Sequence, residues 1–395
     1  MNILFLTYGH VSKMRGGIDR VTDILARSFI TRGYNIYMIS VCKPHKGDSS
    51  EPYQYILPKE FILSQENTQY LSDFLANNKI DIIINQSERI ALLRLILQVK
   101  SKTPVLSVIH TDPLSIVKGV RDNWDYWKLH EKRWKFLLLF PYYMLRTILR
   151  YYFRYHSIKK HHKYFYENND GIVLLSEKFK KTFLHLIDIK QDNKLFSILN
   201  PLSYQQTRNI EKYQKEKIVL YVSRLEYSPK RLDRILKVWS MIGNHVAWRL
   251  IIAGDGPDAI FYKNLAIKYQ LLNIDFVGQT DPSPLYKRAQ IICVSSTYEG
   301  FSLVLTEALQ YGVIPVAFDS FESVHDIIDT GKNGFLVKPF QINYYANILK
   351  SLMFNDNLRQ QIQMNIQTDT SFFNRFNINH ITDEWNDLLS RFIKK

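Results

Sequence analysis

Two cysteines in 395 residues, Cys42 and Cys293, rule out a disulfide scaffold. Each falls at or near the end of an apolar, β-branched run, and both read as small buried hydrophobes. Long apolar runs are also lacking. The longest, FLLLFPYYML at 136–145, is about half of the roughly 20 residues that a spanning helix needs. The opening MNILFLTYGH has no basic segment before its apolar run, and that run is too short for a secretory signal, so a cytosolic chain is expected. No helix-turn-helix, RNP or zinc-finger pattern is visible, which leaves a nucleic-acid role with net charge as its only support.

What is present is a globular composition, 46% hydrophobic and 23% charged, in a chain long enough for two cores. The net charge of +15 points to an anionic partner: a nucleic acid, a membrane face or a phosphorylated substrate. It is unevenly placed. Residues 1–203 carry 30 Lys and Arg against 18 Asp and Glu, so the first half holds an excess of 12.

Apolar strand-like runs alternate with helical patterns from the first residue. NILFLT, a helix at 18–32, NIYMISV, a helix near 66–78, IDIIIN, a helix near 88–100 and PVLSVIH follow one another. Such alternation, with strands apolar on both faces, predicts a parallel sheet covered by helices on either side. The pattern breaks at 121–168, a basic and aromatic stretch, and resumes at GIVLLS. The polar YQQTRNIEKYQKEK reads as a linker, and a second alternating series follows it: KIVLYVSRL, WRLIIAGDG, IDFVG, IICVSS, VIPVAFD and GFLV with helices between, one of them at 322–329. Two doubly wound α/β domains in tandem are expected, with ligands at the carboxyl ends of their strands.

The residues at those ends carry the chemistry. Arg224 follows KIVLYVS, and Lys230 follows Ser228 and Pro229 at the next helix start; as a fork and a point charge they suit one anionic group. In GDGPDA, Gly254, Gly256 and Ala259 satisfy a loose dinucleotide fingerprint, but Pro257 removes a phosphate-facing N–H and Asp275 opens its strand, so a tight turn is the better reading. After IICVSS comes YEGFSLVLTEALQYG. The helix start at Gly300–Leu303, with Ser302 available as a cap, can offer free N–H groups to a phosphate. Glu299 would repel that phosphate and suits sugar hydroxyls, while Glu307, about two turns along, suits ribose hydroxyls. In the first half Gly16-Gly17 opens a helix as a close-approach loop without the G-K-[ST] of a Walker A motif, and PVLSVIH ends on His110, followed by Thr111 and Asp112. A lone histidine is more often structural; its place at a strand end favours function.

"SRLEYSPKRLDRILKVW", "IIAGDGP", "FVGQ", "EGFSLVLTEALQYGVIPVAF" and "GKNGFLV", in that order and spacing, resemble the retaining GT-B glycosyltransferases of family 4, closely over about 217–340 and more loosely at "RGGIDR" and "VIH". The resemblance implies two Rossmann-like domains facing a central cleft: 1–203 for the acceptor, including the insert 121–168, 204–371 for a nucleotide sugar, and a helix at 372–395 crossing back to the first domain. It implies that Arg224 and Lys230 bind the donor diphosphate, that Phe301, Ser302 and Leu303 offer backbone N–H groups, that Glu299 grips the sugar and Glu307 the ribose. Val277 would pack on the base, Gly16 and Gly17 would approach the diphosphate, and His110 would sit by the reacting carbon. Arg231 departs from the glycine that commonly follows the lysine, and Asp19 from a frequent glutamate. No D-x-D occurs in the chain, so the cations are expected to act without a metal ion or other cofactor. The donor is expected to be a UDP-sugar, and the reaction transfer with retention, its leaving group and nucleophile on one face, in bacterial surface-polysaccharide synthesis. A sugar-nucleotide epimerase on the same fold and a basic nucleic-acid-binding protein are the rivals, and the oligomeric state is not fixed by sequence.

Residues 128–163 carry ten Lys or Arg against Glu131 alone, interleaved with Trp, Tyr and Phe. Two readings compete: a helical insert packed on the first domain, or an interfacial surface in which Arg146, Arg150 and Arg154 meet anionic lipid and a lipid-linked acceptor is presented to the first domain. The second predicts a peripheral protein on the inner face of the cell membrane.

Overall fold

A computed structural model describes the chain except residues 13–15, 46–50, 131–132, 205–212, 244–246 and 394–395, and the side chains of 123, 128, 130, 133 and 136. Part of the expected linker therefore lies outside the described residues. Two compact units result: Met1–Pro113 with His156–Ser203 and Phe373–Lys395, and Leu114–Tyr155 with Tyr204–Phe372.

The chain begins β1 (Asn2–Thr7), α1 (Gly17–Thr31), β2 (Asn35–Ser40), β3 (Gln54–Ile56), α2 (Gln65–Asn77), β4 (Ile82–Asn85), α3 (Ile90–Val99) and β5 (Val105–Ile109). Strands β4 and β5, IIIN and VLSVI, are buried along their whole length. A β-branched run with no exposed face can only be an inner strand, and alternation is absent for that reason. Helix α1 buries Val21, Leu25 and Phe29, one stripe at four-residue spacing. Helix α2 starts at Ser64, whose hydroxyl accepts from the Asn67 N–H at 3.1 Å.

Next come α4 (Ser115–His130), α5 (Arg133–Leu138) and α6 (Phe140–Asn168), then β6 (Gly171–Leu174), α7 (Lys178–Ile187) and β7 (Leu195–Ser197). The sequence did not anticipate the short strands β3 and β7 or the helix α7. The first sheet is parallel throughout, in the order β3-β2-β1-β4-β5-β6-β7.

The second series is β8 (Ile218–Val222), α8 (Leu232–Ile242), β9 (Arg249–Ala253), α9 (Ala259–Lys268), β10 (Ile274–Gly278), α10 (Ser283–Arg288), β11 (Ile291–Val294), α11 (Leu303–Gln310), β12 (Ile314–Phe318) and β13 (Phe335–Val337). Helices α12 (Ile342–Phe354), α13 (Asp356–Thr368), α14 (Thr370–Arg375) and α15 (Ile378–Ile393) close the chain. This sheet is also parallel, in the order β10-β9-β8-β11-β12-β13. Its strand order reverses between β8 and β11, and that of the first sheet between β1 and β4; such switch points open a crevice for ligands at the carboxyl ends.

Two expectations are corrected. The helix expected at 322–329 is a 3-10 turn at Glu322–Asp326, because the chain turns back through Gly331 and Gly334 to enter β13. The insert 121–168, assigned by sequence to the first domain, is divided: 114–155 belongs to the second unit and 156–203 to the first. The physical reason is an ionic cluster, described below, that ties α4 to the start of α8. Within the first unit α15 lies against α1, with Ser28 Oγ 2.8 Å from Thr382 Oγ1.

Candidate functional site

In the second unit the strand-end residues on the two sides of the switch point meet. Lys230, beyond β8, donates from Nζ to Glu299 Oε1 at 2.8 Å; Glu299 lies beyond β11. Ser296 Oγ donates to the same oxygen at 2.5 Å. Burial pushes the Glu299 carboxyl up, but the Lys230 charge and hydrogen bond and the Ser296 and Ser302 hydroxyls outweigh it and hold it below the usual range. The carboxylate is thus ionised and nearly covered, with its side chain 10% exposed. Arg224 was expected to act with Lys230 on one anion. In the structure it is 68% exposed and pairs with Glu226 at 2.8 Å, its charge held in solvent.

The Arg224 loop is fixed from behind. Gly254 has φ +139°, and a Cβ there would stand 1.8 Å from the Ser223 carbonyl oxygen. The Leu225 N–H donates to Asp255 O at 2.9 Å, and the Asp258 N–H to Leu225 O at 3.0 Å. These glycines therefore serve a tight turn against β8, for a reason of packing.

Ser302 is the N-cap of α11, without a side-chain cap bond. The N–H groups of Ser302, Leu303 and Val304 have no carbonyl one turn back to bind, so this end carries donors and partial positive charge. The Phe301 side chain is buried, and Val277 in β10 is 44% exposed. Glu307 is 2% exposed and accepts from Tyr286 Oη at 3.0 Å. Tyr286, on α10, is a partner that sequence reasoning missed: nothing local links a helix tyrosine to a carboxylate 21 residues on.

The larger omission is Arg231, which the sequence treats only as a departure from glycine. It adopts φ +54°, where glycine is favoured, yet its guanidinium is buried and fully engaged. Nη1 donates to Asp122 Oδ1 at 2.6 Å and Asp125 Oδ2 at 2.8 Å, while Nε and Nη2 bind Asp233 at 2.9 and 3.0 Å. Asp122, on α4 and wholly buried, also accepts from Thr297 Oγ1 at 2.7 Å and Ser228 Oγ at 2.8 Å. The Lys230 carbonyl accepts from Tyr221 Oη at 2.8 Å and Ser295 Oγ at 2.9 Å. The loop that presents Lys230 is thereby clamped to the loop that presents Glu299. Among the described residues no group of three or more His, Cys, Asp or Glu stands where it could hold a metal ion.

In the first unit Gly16 is the N-cap of α1 with φ −62°, and a Cβ there would meet nothing within 4 Å. Neither backbone geometry nor packing requires glycine at position 16. His110 is buried beyond β5, with Nε2 2.5 Å from Gln86 Oε1. The His110 and Thr111 N–H groups both donate to Glu88 Oε1, at 2.9 and 3.0 Å. Asp112 is 1% exposed.

Burial pushes the His110 imidazole down to about 4, and burial together with His161 pushes His162 down to about 3. Both are neutral at pH 7. The unfolded chain, with ordinary values near 6.5, binds protons first on acidification, so the folded unit loses stability as pH falls from about 6.5 towards about 4 and nothing changes above 7. Each histidine is expected to cost on the order of 1 kcal/mol at pH 5.5. Urea unfolding at pH 7.5 and 5.5 should show that difference shrinking in His110→Gln; an unchanged difference removes His110 as its source.

Arg146, Arg150 and Arg154 lie four residues apart on one face of α6. Arg146 and Arg150 stand over the Trp127 ring at 5.0 and 5.8 Å, and Arg154 reaches the Ile116 carbonyl at 3.4 Å. The side chains turned outward are apolar: Leu145, Ile148, Leu149, Tyr152 and Phe153 are 47–66% exposed. Among the described residues no helix is long and apolar enough to cross a membrane.

Residues 204–369 match the family described as "Glycosyl transferases group 1". An uncharacterized glycosyltransferase of Haemophilus influenzae is 30% identical over 56% of this chain and 61% of its own length. The Campylobacter jejuni "GalNAc-alpha-(1->4)-GalNAc-alpha-(1->3)-diNAcBac-PP-undecaprenol alpha-1,4-N-acetyl-D-galactosaminyltransferase" is 26% identical over 49% of this chain and 54% of its own. The matches thus span little more than half the length of these relatives. Among solved structures, a Staphylococcus aureus TarM mutant in complex with fondaparinux, alpha-GlcNAc-glycerol and UDP superimposes with a TM-score of 0.72 at 13% identity, covering 98% of this chain and 99% of that one. The chain has the GT-B fold, as the sequence resemblance implied.

Proposed function

We propose that this chain, whose residues 204–369 belong to glycosyl transferases group 1, moves a hexose or N-acetylhexosamine from a nucleoside-diphosphate sugar, a UDP-sugar first, to a hydroxyl of a lipid-linked glycan. The configuration is retained, no metal ion takes part, and the pathway is that of a bacterial surface polysaccharide: capsule, O-antigen or lipopolysaccharide. The observation that carries this reading is the Lys230–Glu299 pair beside the free N–H groups of α11. An ammonium has three donors, so Lys230 can keep Glu299 and still take a phosphate oxygen, and with the helix N-terminus it stabilises the charge that develops on the leaving diphosphate. Glu299 accepts from sugar hydroxyls and Glu307, braced by Tyr286, from the ribose. Val277 covers the base and Arg224, exposed beside Glu226, adds a second cation.

UDP in complexes of structural neighbours and the undecaprenol in the Campylobacter relative's name support the donor and the carrier. A thermal-shift panel of UDP, GDP, ADP and CMP tests the donor: UDP alone should raise the melting temperature, and a GDP or ADP response overturns the base. An epimerase would convert the nucleotide sugar without any acceptor. Steep salt-dependent DNA binding that nucleotide sugar leaves unchanged would favour the nucleic-acid reading.

The exposed apolar side chains of α6 support an interfacial site; its arginines, turned towards Trp127 and Ile116, would have to swing out to it, each cation near anionic lipid then adding about 1 kcal/mol. The protein is expected to co-sediment with anionic liposomes at low salt and to be released at high salt. Arg146→Glu/Arg150→Glu/Arg154→Glu should lose that binding. Protein left in the supernatant at low salt overturns the peripheral membrane location.

A further inference from the structure

We propose that a groove in the second unit, walled by α4, α6 and the Pro339–Phe340 turn, binds the hydrocarbon chain of an isoprenoid phosphate. The proposal rests on the lipid-linked acceptor reading and assigns the part of the chain that would hold the carrier. The groove has a volume of about 510 Å³, within the roughly 300–1,000 Å³ typical of small-molecule sites. Its lining includes Leu114, Val117 and Val120, at three-residue spacing on α4 and its approach, together with Tyr151 of α6 and Phe340.

Phe340 shows that this wall is built. It holds φ +65°, a left-handed backbone that a bulky side chain rarely adopts and that surrounding structure must enforce. The enforcement is visible: the Arg234 guanidinium stands 3.7 Å and that of Arg121 4.9 Å from the ring centroid. The ring is thus held between two guanidinium groups on the edge of the groove.

Charge selects the occupant. Lys118, whose Nζ donates to Ser320 O at 3.3 Å, and Arg121, over the Phe340 ring, line the groove with donors to spare, and its one carboxylate, Asp319, is engaged by His325 at 2.7 Å. Two cations over an apolar trough suit an anionic amphiphile. A single trough suits one chain, and the neighbouring outward faces of α5 and α6 expose Leu138, Leu145, Ile148 and Leu149 at 47–72%, a surface on which such a chain can leave a bilayer.

Position ties the occupant to the acceptor. Ser320 and Thr297 line the groove; Ser320 Oγ donates to the Ser296 carbonyl at 2.5 Å, and Ser296 Oγ donates to Glu299. A chain seated here brings its phosphate head, and a sugar attached to it, to the loop that carries Glu299.

Geranylgeranyl phosphate titrated into the full chain below its aggregation limit, followed by calorimetry, is the test. Saturable one-to-one binding is expected. It should weaken at least tenfold in Thr147→Trp, which projects an indole into the groove from a half-exposed helical position, and in Tyr151→Ala, with UDP affinity unchanged in both. Equal binding of dodecyl phosphate or dioleoyl phosphatidic acid overturns the isoprenoid assignment. Equal competition by inorganic phosphate reduces the groove to a phosphate site and overturns it too, as do variants that bind normally. Wild-type protein that binds UDP but not geranylgeranyl phosphate overturns the groove and leaves the transferase reading standing; failure to bind UDP overturns that reading instead.

Discussion

Asp122→Ala is expected to destabilise the second unit by about 3–5 kcal/mol, the usual cost of removing one partner from a buried ion pair. Asp122 is wholly buried and takes hydrogen bonds from Arg231, Ser228 and Thr297. Without it, Arg231 keeps Asp125 and Asp233 but is left with one unmatched donor in a site closed to water, and two hydroxyls lose their acceptor. Arg231→Gly leaves the opposite defect, aspartates with only the more distant Arg234 (3.4 Å from Asp122) to offset them, but relieves the left-handed backbone at φ +54°. The two substitutions share partners, so their costs should not add: the double variant is expected to be less destabilised than the sum, by about 0.5–3 kcal/mol. Denaturant unfolding of all four proteins, with the two units followed as separate transitions, measures the coupling. Additive costs would mean that α4 is not held by this pair. Because the same cluster fixes the loop of Lys230, nucleotide affinity should fall in both single variants.

Lys230→Ala is expected to slow transfer about ten- to hundredfold or more, the loss of one charge-assisted hydrogen bond of about 1.5–3 kcal/mol from the leaving group. Its effect on stability should be far smaller than that of Asp122→Ala, since the Lys230 side chain is 28% exposed and lies outside the core. A second readout separates the roles. Lys230 is a principal influence that holds the Glu299 carboxyl below its usual range against burial. With the lysine gone, burial prevails and the carboxyl moves up, so the acid limb of the pH–rate profile should shift towards neutrality. Glu299→Gln should slow transfer more than it weakens nucleotide binding, and Glu307→Gln the reverse. Wild-type kinetics in Lys230→Ala, or an unshifted acid limb, would sink the leaving-group assignment.

The sequence by itself determined the two parallel sheets and where along the chain most of their strands lie. Runs such as ILFL, IIIN and VLSVI can be satisfied only as inner strands, and alternation with helical periodicity is a local property. It also determined the residues at the strand ends, because a doubly wound sheet places its chemistry there whatever the side chains do next. That Arg224, Lys230, Glu299 and His110 lie beyond strand ends was legible on that ground. The tertiary structure alone decided which of them pair. Lys230 meets Glu299 at a separation of 69 residues, Arg224 turns to Glu226, and Glu307 takes Tyr286. It alone turned Arg231 from an irregularity into the centre of an ionic cluster, through Asp122 at a separation of 109 residues, and so carried residues 114–155 from the first unit to the second. No periodicity announces such a contact. A buried charge finds its partner by the packing of α4 against the start of α8, and the cost of leaving it unpaired, rather than any local propensity, fixes where that helix belongs.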